Sequence, residues 1–225
     1  MRSDLSCGYM TTGSAIRLLI VFGFIASASA AIAQIDIAST DDFQQCRREE
    51  TMAELRLKAC TAVIADSSRI DEVRAEALLN RGMAYEQLGD ISAAITDYTE
   101  GLKLNPKNRT LYNRRGLAYE LEDKRDLAIA DFSAAISLDP EDIEALVYRG
   151  LSYAEAGDYS RAILDFDAAL AIEPDDAAVF AFRGEAREAL GDRDKAMEDY
   201  RKALSLDPQN ELAEAGLKRL GRKSE

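Results

Sequence analysis

The stretch "NRGMAYEQLGD", residues 80–90, decides how this chain is read, because close relatives of it return three times. They are "RRGLAYELEDK" (114–124), "YRGLSYAEAGD" (148–158) and "FRGEAREALGD" (182–192). Each copy places Arg directly before Gly, at Arg81, Arg115, Arg149 and Arg183. The interval between copies is 34 residues, and other positions keep the same phase. The chain's four prolines, Pro106, Pro140, Pro174 and Pro208, are spaced by it, as are Ala94, Ala128, Ala162 and Ala196. The aromatic residues Tyr98, Phe132, Phe166 and Tyr200 follow the same ruler. Several series in one phase are the mark of a repeat architecture.

Each unit builds into a pair of helices. Asn108, Asp142, Asp176 and Asn210 stand two residues after each Pro, where an N-cap for the next helix belongs. Leu78, Gly82 and Tyr85 then recur at helical spacing along one face. Gly89 and Asp90 stop that helix and cap a second one, whose packing stripe is Ala94, Tyr98 and Gly101. Pro106 ends it, since proline cannot continue the hydrogen-bond ladder.

These units resemble tetratricopeptide repeats. The third carries the family pattern of large residue, Gly, Tyr, Ala, aromatic, Ala and Pro as Leu146, Gly150, Tyr153, Ala162, Phe166, Ala169 and Pro174. Departures are local: Arg187 stands for Tyr in the last unit, Gly101 for the second Ala in the first, and Asp123 for the turn Gly in the second. The resemblance implies an all-α fold, a right-handed α-solenoid of antiparallel helix hairpins. Four repeats are expected over 75–108, 109–142, 143–176 and 177–210, covering 75–210. Terminal units of a solenoid need a polar outer face. Residues 211–225 read as a C-terminal capping helix with Leu212, Leu217 and Leu220 on one side, and 42–73 as a divergent N-terminal helix pair.

Residues 1–33 have the layout of a secretory signal peptide, with Arg17 before an apolar run and small residues suited to cleavage after Ala30 or Ala33. A short linker, 34–41, follows. The apolar run 18–33 is shorter than the roughly 20 residues a spanning helix prefers. Retention of that run as a membrane anchor is the alternative. Cys7 precedes the run, whereas a lipid-acceptor Cys would follow it. The expected location is the periplasm, or the membrane facing it. In that oxidising setting Cys46 and Cys60 are expected to form a disulfide, which would contribute roughly 3 kcal/mol. Two small buried thiols at a helix contact are the other reading.

The Arg series needs partners if it lies near the buried stripe, because an unpaired buried charge is costly. Sixteen residues after each Arg comes an Asp: Asp97, Asp131, Asp165 and Asp199. About a turn near Gly89, Arg81 and Asp97 are equidistant, and an antiparallel hairpin brings equidistant positions to one height. The spacing therefore predicts the bidentate pairs Arg81–Asp97, Arg115–Asp131, Arg149–Asp165 and Arg183–Asp199. A row of cations gripping carboxylates or phosphates is the functional rival.

The family resemblance also implies a concave groove lined by the first helix of each repeat. Its expected partner-binding residues are Glu76, Leu79, Met83, Glu86, Asn113, Leu117, Glu120, Leu121, Glu144, Val147, Leu151, Glu155, Glu185 and Glu188. The groove positions hold seven Glu and no Lys or Arg. A clamp for a peptide's terminal carboxylate is therefore not supported. A protein or peptide partner with apolar anchors and basic residues suits such a surface. Solvation of an exposed helix face by Glu is the plainer account.

Composition narrows the function further. Twenty-eight Lys plus Arg face 41 Asp plus Glu, a net charge of −13 that repels nucleic acids and anionic lipid. There is no His, no Cys pair at zinc-site spacing and no phosphate-binding Gly motif. The acidic "DPEDIE" and "EPDD" fall on turns and caps, a weak calcium signal. The expectation is a non-catalytic scaffold or adaptor of the cell envelope that needs no cofactor or metal. A self-associating structural module is a further alternative.

Overall fold

In the computed structural model, residues 42–48 and 52–222 are described. The expected signal peptide 1–33 and linker 34–41 lie outside them. Among the described residues every regular element is a helix. Residues 42–47 form α1. There follow α2 (Ala53–Ala65), α3 (Asp71–Gln87), α4 (Ile91–Leu104), α5 (Arg109–Leu121) and α6 (Arg125–Leu138). The chain continues through α7 (Ile143–Glu155), α8 (Tyr159–Ile172), α9 (Ala177–Ala189), α10 (Arg193–Leu206) and α11 (Glu211–Arg222). Each helix packs on its successor from α2 to α11. In addition α3 touches α5, α5 touches α7, α7 touches α9 and α9 touches α11, whereas the described even-numbered helices do not touch one another. The odd helices are thus the tighter layer of a curved stack and line its concave side. The molecule is an α-solenoid.

Local chemistry explains the boundaries. The side chains of Asn108, Asp142, Asp176 and Asn210 each accept a hydrogen bond from a backbone N–H two or three residues into the following helix. Asp90 and Asp158 do the same for α4 and α8. The turns within hairpins run through a left-handed residue: Gly89, Gly157 and Gly191 at φ near 80°, and Asp123 at φ 60°. The second repeat therefore keeps the turn but places a side chain where glycine has no steric penalty.

Packing between hairpin helices relies on the Gly, Ala and aromatic series. Ala94, Ala128, Ala162 and Ala196 are fully buried, as are Tyr98, Phe132, Phe166 and Tyr200. A Cβ on Gly116 would lie 2.7 Å from the Phe132 ring, so glycine is needed there for close approach. Gly101 is likewise filled from outside, with the Leu111 side chain 2.9 Å from where its Cβ would be. At the C-terminal end Ala213 and Leu220 of α11 are buried against Tyr200, with Leu212 and Leu217 beside them. At the N-terminal end Cys46 and Cys60 form a disulfide that ties α1 to α2. Both are fully buried with Ala59, Val63 and Ala77.

The Arg series runs through this frame as a ladder. Nε and Nη2 of each Arg donate to the two oxygens of its Asp: 2.7 and 2.8 Å for Arg81–Asp97, and 2.7 Å twice for Arg115–Asp131. The distances are 2.8 and 2.7 Å for Arg149–Asp165, and 3.1 and 2.7 Å for Arg183–Asp199. The four carboxylates are buried. Nη1 of each Arg reaches further, to the preceding hairpin: Thr61, Thr99, Ser133 and Asp167 accept from Arg81, Arg115, Arg149 and Arg183 in turn. Three of these acceptors lie 16 residues before their Arg; Thr61 lies one turn earlier, because α2 is set back from the repeat's phase. Arg187 uses its place to add a second guanidinium to Asp199 at 2.7 Å.

Two outcomes test this frame. Arg115→Met should cost about 3 kcal/mol by stranding Asp131, whereas the double variant Arg115→Met/Asp131→Leu should recover most of it; urea unfolding of the set gives the coupling. Asp123→Val should cost about 1–2 kcal/mol at the left-handed turn while Asp123→Gly does not, as read by thermal unfolding.

Candidate functional site

The concave face is built from α3, α5, α7 and α9, and its residues fall into three groups. Leu79 and Met83 pack half-buried against the Tyr98 cluster, and Val147 and Leu151 against the Phe166 cluster. Leu117 and exposed Leu121 join Tyr148 and Leu151 around an open pocket of about 270 Å³. Beyond it, sharing Leu151 and Glu155, lies a larger open pocket of about 680 Å³ between α7 and α9, closed at its far end by Arg219 of α11. The two adjoin at Leu151 and Glu155 and make one trough, with apolar and charged side chains in its lining, along the C-terminal half of the groove.

Asn113 is placed elsewhere. It is buried, and its amide donates to Asp142 Oδ2 at 3.0 Å, so it braces the N-cap of α7 and does not face the groove. Arg109 holds the same Asp142 at 3.0 Å. The fifth position of this repeat is therefore part of the interface between repeats.

The glutamates are less free than their number suggests. Glu76 is paired with Arg47 at 2.7 Å. Glu155 accepts from Arg125 at 2.8 Å, and the same guanidinium stands 3.7 Å from Glu120, which also accepts from Ser152 Oγ. Glu188 takes Nε and Nη2 of Arg219 at 3.2 and 2.9 Å and the Tyr200 hydroxyl at 2.9 Å. Among the described residues no cation is within ion-pair reach of Glu144 or Glu185, both exposed. The three cations come from outside the groove positions: Arg47 from α1, Arg125 from the start of α6 and Arg219 from the C-terminal helix.

Half-buried Glu86 is under electrostatic stress. Burial raises its pKa above the ordinary 4.5, against the lowering effect of the Tyr98 hydroxyl and of Arg114. Burial and the neighbouring Glu86 carboxylate push the Tyr98 phenol far up in turn, and the same causes act on Tyr200 beside Glu188.

Sequence profiles for the tetratricopeptide repeat match residues 75–108, 120–177 and 147–211, together more than half of the chain. The chain belongs to the tetratricopeptide repeat family. No curated protein matches it in sequence. Among solved structures, it is similar to MamA at 25% identity, covering 70% of this chain and 90% of that one with a TM-score of 0.64. It is also similar to YrrB, a TPR protein described as having an unusual peptide-binding site, at 25% identity over 74% and 84% of the two chains, TM-score 0.64. A tetratricopeptide repeat protein from Parabacteroides merdae shares the fold at 20% identity, with 81% and 72% coverage and a TM-score of 0.72. These likenesses point to an interaction module.

The raised pKa of Glu86 has a defined sign. The native state holds this proton more tightly than the unfolded chain, so the ionised carboxylate weakens the fold as pH rises above about 4.5. Glu86→Gln should therefore raise the melting temperature at pH 7, with the gain vanishing below pH 4.5. A pH-independent gain would contradict this cause.

Proposed function

We propose that this protein is an exported, non-catalytic adaptor of the cell envelope whose groove holds a peptide segment of a partner protein. The observation that carries the reading is the continuous trough on the concave side, where Leu117, Leu121, Leu151 and Phe182 line two adjoining pockets. Isolated exposed apolar residues are ordinary on a soluble protein, but several gathered in one trough mark a contact surface. Glu144 and Glu185, with the stressed Glu86, favour basic residues in the bound segment; the other groove acids are already satisfied by the protein's own arginines. The likeness to YrrB supports peptide binding as the use of such a face.

Export rests on two features. Residues 18–33 supply an apolar run with small residues behind it. The buried Cys46–Cys60 disulfide fits an oxidising compartment. Among the described residues no helix is long and apolar enough to cross a membrane. N-terminal sequencing of the mature protein distinguishes the cleaved form from a membrane-attached one.

Crosslinking tests the groove directly. A photoreactive residue at Leu117 should capture a defined set of envelope proteins that a control at exposed Leu164, on α8 of the outer layer, does not. Identical captured sets would remove the groove from consideration.

A further inference from the structure

Regular repeats make differences between them visible, and three positions that vary from repeat to repeat meet at the larger pocket. The groove position of Glu86, Glu120 and Glu188 is Ala154 in the third repeat. The helix residue before each ladder Arg is Asn80 and Arg114 in the first two repeats but Tyr148 and Phe182 in the last two. The aromatic at the foot of the hairpin is Phe166 here, as it is Phe132 in the second repeat, whereas the last repeat has Tyr200, whose hydroxyl donates to Glu188. Substituting Ala154 for Glu and Phe for Tyr removes both the carboxylate and the hydroxyl that would otherwise cover this spot.

The result is a recess of about 680 Å³ over the buried Phe166, with Leu151, Ala154, Tyr159 and Phe182 as its apolar surface. The recess is open to solvent and larger than one aromatic ring, so it has room for that ring and part of the residues beside it. Each side carries an arginine: Arg125 is shared by Glu155 at 2.8 Å and by Glu120 and Asp123 at 3.7 Å, and Arg219 is held by Glu188 at 2.9 Å. Exposed Glu185 stands at the rim, outside ion-pair distance of any cation among the described residues, although Arg219 feels its charge. An open recess with aromatic rings in its lining and more carboxylates than arginines around it suits an aromatic group with a base beside it.

We infer that this recess is an anchor pocket for one aromatic side chain of the partner segment, with a Lys or Arg adjacent in that segment meeting Glu185. The assignment rests on the groove reading above and narrows it. Phe182 and Tyr159 line the recess, and contacts between aromatic rings are worth more than their area alone. The Glu185 contact is exposed and contributes selectivity more than affinity. The surplus of carboxylates around the recess also disfavours an acidic side chain there.

Selection of peptides from a random-sequence library on the full chain tests both layers separately. Selected peptides should share an aromatic residue next to Lys or Arg. Ala154→Glu, which restores the residue held by the other repeats, should weaken them about tenfold or more. Phe182→Asn, the first repeat's residue at that position, should do the same if Ala154→Glu disturbs folding. Glu185→Gln should weaken them about two- to fivefold, with the loss fading at high salt. Peptides without the aromatic–basic pair whose affinity ignores Ala154→Glu and Phe182→Asn, but falls with Leu117→Ala, would overturn the anchor pocket and leave the groove standing. A library yielding no binder would overturn both. A dimer in light scattering that Ala154→Glu dissociates would show that a second copy fills the recess, which also overturns the proposal.

Discussion

The stack depends on a buried guanidinium held at three points. Nε and Nη2 grip an aspartate across the same hairpin, and Nη1 reaches a hydroxyl or carboxylate on the hairpin before. Burying such a pair gives little net stability over an apolar replacement, because both ions lose water. Its effect is positional. The Ala and aromatic stripes would tolerate a slide of one helix along the other, since small residues recur along both. A bidentate bond does not, because a slip of one turn moves the carboxylate about 5 Å and leaves two charges unpaired in the core. The third hydrogen bond carries the same constraint into the neighbouring repeat. Groove residues, on the same helices as the arginines, inherit positions fixed to within a hydrogen bond.

That constraint also explains which parts of the molecule were legible in its sequence. Repetition writes each packing demand several times, so the hairpins, their caps and the Arg–Asp pairs can be read from spacing alone. The pair Arg81–Asp97 follows from equal distances to a turn, with no knowledge of the fold beyond antiparallel helices. The third partners were harder. Thr99, Ser133 and Asp167 share a phase but not a chemistry, and a mixed column looks like surface. Thr61 is out of phase altogether, since α2 is set back by about a turn.

The charge of the groove was read least well, and the reason is geometric. A column holds the residues of one face of one helix type, while ion pairs are made between helices. Arg125 shares its column with Ile91, Tyr159 and Arg193, so no repeat signal points to it. Arg219 lies beyond the last repeat and Arg47 before the first. Each nonetheless neutralises a groove glutamate. Asn113 shows the converse, since a position that faces the groove in one repeat can turn into the interface in another when Asp142 offers a buried acceptor.

Departures from the repeat then divide by whether packing accounts for them. Gly101 is matched by the Leu111 side chain that occupies its space, and Arg187 by the second acceptor lobe of Asp199. These changes come with compensations next to them. Ala154 and Phe182 do not: together they open a recess, and a recess in a folded core face forfeits contacts that a larger side chain at Ala154 would supply. The molecule carries that loss along its trough between Arg125 and Arg219, beside exposed Glu185. A cavity left by mere tolerance has no reason to gather aromatic rings beneath a surplus of carboxylates. That coincidence of shape and charge is what makes the recess a site, and the ladder beneath it is what holds α7 and α9 apart at the spacing the site requires.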